Sequence, residues 1–105
     1  MAYEARYVLR PTPGADLEVV MNEMREGAKL WLKHGAPKPK LWVVAAGEMG
    51  NYVLSVTFSN AVEYAKVVDA LSADPEFRRW QAGNSKAGAL SWMRSNLLRE
   101  LELST

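Results

Sequence analysis

Ala89-Leu90-Ser91-Trp92-Met93-Arg94-Ser95-Asn96-Leu97-Leu98-Arg99-Glu100-Leu101-Glu102-Leu103 is the stretch that decides the fold of this chain. Leu90, Met93, Leu97, Leu98 and Leu101 recur at helical spacing, whereas Met93, Ser95, Leu97, Arg99, Leu101 and Leu103 alternate like one face of a strand. Periodicity alone does not separate the two readings. Topology does. Without a further strand, the opening strand of the chain presents a long unpaired edge. The segment is therefore read as a strand, with Leu97 to Leu103 lying beside Tyr3–Arg10.

The rest of the chain supplies the elements that this strand completes. Asp74-Pro75-Glu76 restarts helical structure, because Asp is a favoured N-cap and Pro a favoured first helical residue. Phe77 and Trp80, three apart, then face the core, and Gly83 and Gly88 bracket a loose stretch over 84–87. Upstream, Asn60-Ala61-Val62-Glu63 has the form of a capping box, and Ala61, Tyr64, Ala65, Val68 and Leu71 make the inner stripe of the helix it opens. Tyr52 to Phe58 alternates, with Tyr52, Leu54, Val56 and Phe58 on one face. The turn-forming run Gly47-Glu48-Met49-Gly50-Asn51 joins it to Leu41-Trp42-Val43-Val44-Ala45-Ala46. That run is apolar on both faces and reads as a strand covered on both sides.

From Asp16 to Lys33 the period is helical, with Leu17, Val20, Met21, Met24, Ala28 and Trp31 on one stripe. Gly35 ends that helix as a left-handed residue, and Pro37 and Pro39 prevent its continuation. Tyr3 to Arg10 is a half-buried strand, with Tyr3, Ala5, Tyr7 and Leu9 on one face, and it stops at Pro11-Thr12-Pro13-Gly14. The order is βαββαβ. This is the ferredoxin-like α+β arrangement, a four-stranded antiparallel sheet with two helices on one face. At 105 residues, one domain over 1–105 is expected.

Composition narrows the function classes. The net charge is +1 and no block of like charges occurs, which argues against a nucleic-acid partner. Arg78-Arg79 and the Lys38/Lys40 pair read as solvated surface. There is no cysteine, so disulfides, thiolate catalysis and cysteine-ligated metals are excluded. The start of the chain lacks the pattern of a signal peptide, and Leu41 to Gly47 is far too short to span a bilayer. A cytoplasmic protein with no membrane partner is the expectation. One histidine and no carboxylate cluster predict no metal and no cofactor. No Ser-His-Asp set or phosphate-binding glycine loop can be assembled.

The order and spacing of these elements resemble the dimeric α/β-barrel superfamily, and within it the NIPSNAP-like and related uncharacterised branches. The resemblance rests on the Tyr3–Arg10 strand with its Pro-Gly turn, the hairpin around Gly47–Asn51, the stretch Asn60–Trp80 with Ala73-Asp74-Pro75-Glu76-Phe77, and the terminal Ser95–Leu101 run. It implies two sheets packed face to face in a homodimer. It also implies, in many members, a ligand cavity between the sheet and helices of each protomer. Activities in the superfamily range from cofactor-free oxygenation to haem degradation, haem peroxidation and lactone isomerisation. The Asn, Trp and His set of the haem-degrading members is not matched, because the one histidine sits at the end of the first helix.

Three residues are the candidates for ligand contact. His34 is the group whose ordinary pKa lies nearest neutrality and can serve as a general base, or can simply cap the first helix at its surface. Trp42 lies on a strand beside the His34 loop. Trp80 faces inward from the last helical segment. With Trp31 and Trp92 they make four tryptophans able to line a flat aromatic pocket or to pack the core and an interface. Tyr7, Tyr52 and Tyr64 offer hydroxyls, while Arg6, Arg94 and Arg99 are most simply paired with neighbouring glutamates. Two functions remain open. One is a homodimer, joined through its sheet face, that binds or transforms a small hydrophobic metabolite without metal. The other is a non-catalytic structural or protein-interaction module. No reaction is named by these residues.

Overall fold

The computed structural model of the chain describes residues 1–103, and the side chains of all of these but 85–87. β1 (Tyr3–Pro11) is followed by α1 (Leu17–Lys33), β2 (Lys40–Val43), β3 (Tyr52–Phe58), α2 (Ala61–Ala73), α3 (Pro75–Ala87) and β4 (Leu90–Arg99). The four strands form one antiparallel sheet in the order β2-β3-β1-β4. The α+β ferredoxin-like arrangement read from the sequence is therefore present, with three helices rather than two.

The decisive segment is a strand. β4 pairs with β1 from Pro11↔Leu90 to Tyr3↔Arg99. It begins at Leu90 rather than Leu97 and ends at Arg99. The Glu100 N–H then donates to the Ala2 carbonyl at 2.8 Å, and 101–103 lie beyond the ladder. β1 is consequently a central strand, and its alternation is the expected one: Ala5, Tyr7 and Leu9 face the helices, opposite Val56, Leu54 and Tyr52 of β3.

Two expectations need correction. The apolar run from Leu41 is not a strand covered on both sides. β2 ends at Val43, its four residues are all exposed, and it is the sheet edge. The chain leaves the ladder as the Val44 N–H turns to the Asn51 carbonyl, and Gly47 and Gly50 adopt φ of 90° and 91°, which glycine reaches without a Cβ clash. The stretch after Gly83 is not loose either. α3 runs through it to Ala87 and is closed by Gly88 in the left-handed conformation.

Capping follows the sequence. Asp16 accepts from the Glu18 N–H, Asn60 from the Glu63 N–H, and Asp74 from the Glu76 N–H at the start of α3. The buried side of α1 is Val20, Met24, Gly27, Leu30 and Trp31, a stripe turned away from Leu17, which is exposed. One core cluster joins Leu30, Trp31, Val56, Phe58, Val67, Leu71 and Phe77. A second joins Leu9, Val20, Met24, Leu54 and Leu90. No helix among the described residues is long and apolar enough to cross a membrane.

Candidate functional site

A cleft of about 520 Å³ opens between the helices and the outer half of the sheet. Its floor is the buried set Trp31, Leu71 and Phe77, and its rim holds the exposed residues Ser72, Gln81, Met93 and Ser95. Five aromatic rings close a circuit around it. Tyr7 meets Trp31 at 5.9 Å, Trp31 meets Phe77 at 6.4 Å, Phe77 meets Trp80 at 5.5 Å, Trp80 meets Trp92 at 6.3 Å, and Trp92 returns to Tyr7 at 6.5 Å. All of these centroid spacings fall in the attractive range for tilted and edge-to-face pairs.

The circuit draws on four elements, and each places its ring for a local reason. Tyr7 is on the helix side of β1, opposite Leu54. Trp31 ends the buried stripe of α1. Phe77 and Trp80 follow the Asp74 cap at helical spacing, and the Trp80 indole N–H donates to the Glu23 carbonyl of α1 at 2.9 Å. Trp92 owes its position to an irregularity in β4. The pairing with β1 shifts between Val8↔Arg94 and Leu9↔Trp92, so Met93 has no partner of its own. Such a bulge puts one extra residue in a strand and lets Trp92 and Ser95 share the helix side.

The electrostatics are spare. The lining residues include no histidine and no carboxylate. Arg94 is among them, but its guanidinium is held by both carboxylate oxygens of Glu48 at 3.3 Å. The Tyr7 hydroxyl is pushed up to about 12 by burial and by the neighbouring Tyr64. It is therefore a neutral phenol across the physiological range. Among the described residues none hydrogen-bonds to it.

The NIPSNAP family profile matches residues 3–105. The chain belongs to the NIPSNAP family. Among solved structures, it is similar to a NIPSNAP-like domain protein from Burkholderia xenovorans, with a TM-score of 0.72 at 16% identity over 99% of this chain and 89% of that one. A NIPSNAP family protein of unknown function from Agrobacterium tumefaciens gives 0.68 at 20% identity, over 99% and 91%. SnoaB, a cofactor-independent oxygenase from Streptomyces nogalater, gives 0.70 at 8% identity, over 97% and 95%. At these identities the likeness is one of fold. No curated protein matches the sequence.

Of the three residues singled out from the sequence, this NIPSNAP chain brings only Trp80 to the cleft. His34 caps α1 and its Nε2 lies 2.7 Å from Asp74 Oδ2, in a contact that ties the end of α1 to the α2–α3 corner. Trp42 is on the opposite side of the sheet, where its indole N–H donates to Ser55 Oγ at 2.8 Å. It stands across from Val53, and β3 turns its odd-numbered side chains away from the helices. Tyr7, Trp31 and Trp92 carry the remaining aromatic wall. Among the described residues no group of three His, Cys, Asp or Glu side chains is placed to hold a metal ion.

Proposed function

We propose that this protein binds a small, flat, uncharged hydrophobic metabolite in the aromatic cleft, one that carries an oxygen able to accept a hydrogen bond from Tyr7. The closed circuit of five rings carries this reading, since stacked and edge-on rings suit a planar apolar guest. A lining without carboxylate, imidazole or unpaired cation favours a neutral guest over a charged one, whose desolvation would go uncompensated. In such a cleft a transformation draws on the guest's own reactivity, with the neutral Tyr7 hydroxyl as a hydrogen-bond donor to its oxygen. The fold shared with a cofactor-independent oxygenase supports such chemistry only by analogy.

Calorimetric titration with 2-naphthol tests this. Micromolar to millimolar binding is expected, weakened about tenfold by Tyr7→Phe, which removes one hydrogen bond and keeps the ring. Absence of binding to the wild-type protein overturns the reading.

The same reading takes the protein as a homodimer joined through the sheet face that bears Trp42, Val53 and Leu98. Trp42 and Leu98 stand exposed at opposite edges of that face, an arrangement that suits a partner sheet. Trp42→Asp is expected to give monomers in light scattering at tens of micromolar. Val43→Asp, on the helix side of β2, leaves association unchanged. A monomeric wild type overturns the dimer.

A further inference from the structure

We propose that Gly27 sets the size of guest that the cleft admits, by letting the Trp80 indole lie back against α1; this rests on the cleft being a binding site. Gly27 sits in the middle of α1, is buried, and has ordinary helical backbone, so no left-handed conformation calls for glycine there. Glycine within a helix is disfavoured relative to alanine. Space accounts for its presence. A Cβ built on Gly27 falls 2.4 Å from Trp80 Cζ2, 2.9 Å from Cη2 and 3.0 Å from Cε2. Carbon atoms pack at about 3.5–4 Å, so even a methyl group drives the indole back by more than about 1 Å.

The direction of that movement is fixed by what surrounds the ring. The Trp80 indole N–H is bonded to the Glu23 carbonyl on α1, so the ring is drawn toward the helix on the Gly27 side. The same ring meets Phe77 at 5.5 Å and Trp92 at 6.3 Å and forms part of the cleft wall. A side chain at position 27 therefore presses the indole off α1, strains the bond to Glu23 and narrows the cleft. Gly27 makes no contact with the guest. It is a positioning residue that acts through Trp80.

The test is a comparison of guest sizes by calorimetry, with phenol and 2-naphthol as probes. Gly27→Ala is expected to weaken 2-naphthol binding at least tenfold while changing phenol binding less than threefold. The double variant Gly27→Ala/Trp80→Phe, whose smaller ring clears the new methyl group, is expected to bind 2-naphthol within threefold of Trp80→Phe alone. That comparison needs neither affinity to match the wild type, and it decides the matter should Gly27→Ala alone not fold, because the smaller ring removes the clash in the double variant. Equal loss of both probes, unchanged 2-naphthol binding in Gly27→Ala, or a double variant more than threefold weaker than Trp80→Phe overturns the role of Gly27 while leaving the cleft as a site. A wild type that binds neither probe overturns the cleft itself.

Discussion

Trp31→Ala is expected to cost about 3–5 kcal/mol of folding stability, the range for removing a large buried aromatic side chain. Trp31 is 4% exposed and packs in the core cluster with Phe58, Leu71 and Phe77. Its ring meets Tyr7 of β1, Phe58 of β3 and Phe77 of α3, so one truncation removes three aromatic contacts and leaves a void that α1 and the sheet cannot collapse to fill. In a domain of this size such a loss lowers Tm by roughly 15 °C or more. Urea unfolding should show a lower midpoint with an unchanged slope, the sign of lost stability without a change in the unfolded state. Millimolar indole is expected to raise the Tm of the variant more than that of the wild type, by filling the space vacated. Val62→Ala, at a position 67% exposed on α2, serves as the neutral comparison. A Tm within a few degrees of wild type for Trp31→Ala would show that the ring is not part of the core.

The contrast between β1 and β4 shows what the sequence makes legible. In β1 the pairing with β3 is regular from Tyr3 to Leu9, and the residue types alone place Tyr7 correctly on the helix side, because a two-residue period is all that a regular strand obeys. In β4 the same rule groups Met93 with Ser95 and sends Trp92 to the other face. The bulge at Met93 reverses that, and a bulge leaves no mark on a two-residue period. Composition offers Trp92 as one of four tryptophans able to line a pocket, but the two-residue period does not place it on the helix side. Gly27 is hidden for a different reason: within a helical pattern a glycine reads as a weakness, and only the approach of Trp80 from another helix explains it. Gly83 misleads in the opposite way. Its low helix propensity suggests a break, yet α3 continues past it because Phe77, Trp80 and Asn84 on one side are held against the core, and tertiary packing outweighs the preference of a single residue. Closeness to the His34 loop suggests Trp42 as a pocket residue. The hairpin instead carries Trp42 to the sheet edge and turns it to the opposite face.

Asp74→Asn is expected to lower Tm by several degrees at pH 7, and by progressively less as the solution is made acid. Asp74 holds the corner where α2 ends and α3 begins. One carboxylate oxygen accepts the Glu76 N–H as the cap of α3, and the other meets His34 Nε2 at 2.7 Å and Lys33 Nζ at 3.0 Å. These two residues close α1, so a single carboxylate fastens three helix ends over the sheet. The hydrogen bond from His34, then that from Lys33, then the backbone N–H of Glu76 hold the Asp74 carboxyl well below the usual carboxylate range. Hydrogen bonds to Asp74 and then Glu76 likewise push the Lys33 ammonium up. The sign of the pH effect follows from the depressed carboxyl. The unfolded chain takes up its proton near pH 4 and the folded chain only at lower pH, so the stabilisation is complete above that point and is lost as pH falls toward the folded value. Asn keeps the shape and an oxygen for the cap but has no charge to lose. Thermal melts of the two proteins across the range from pH 7 to pH 2 should therefore converge on the acid side. A gap that stays constant with pH would mean that the corner is held by packing rather than by the ionised Asp74.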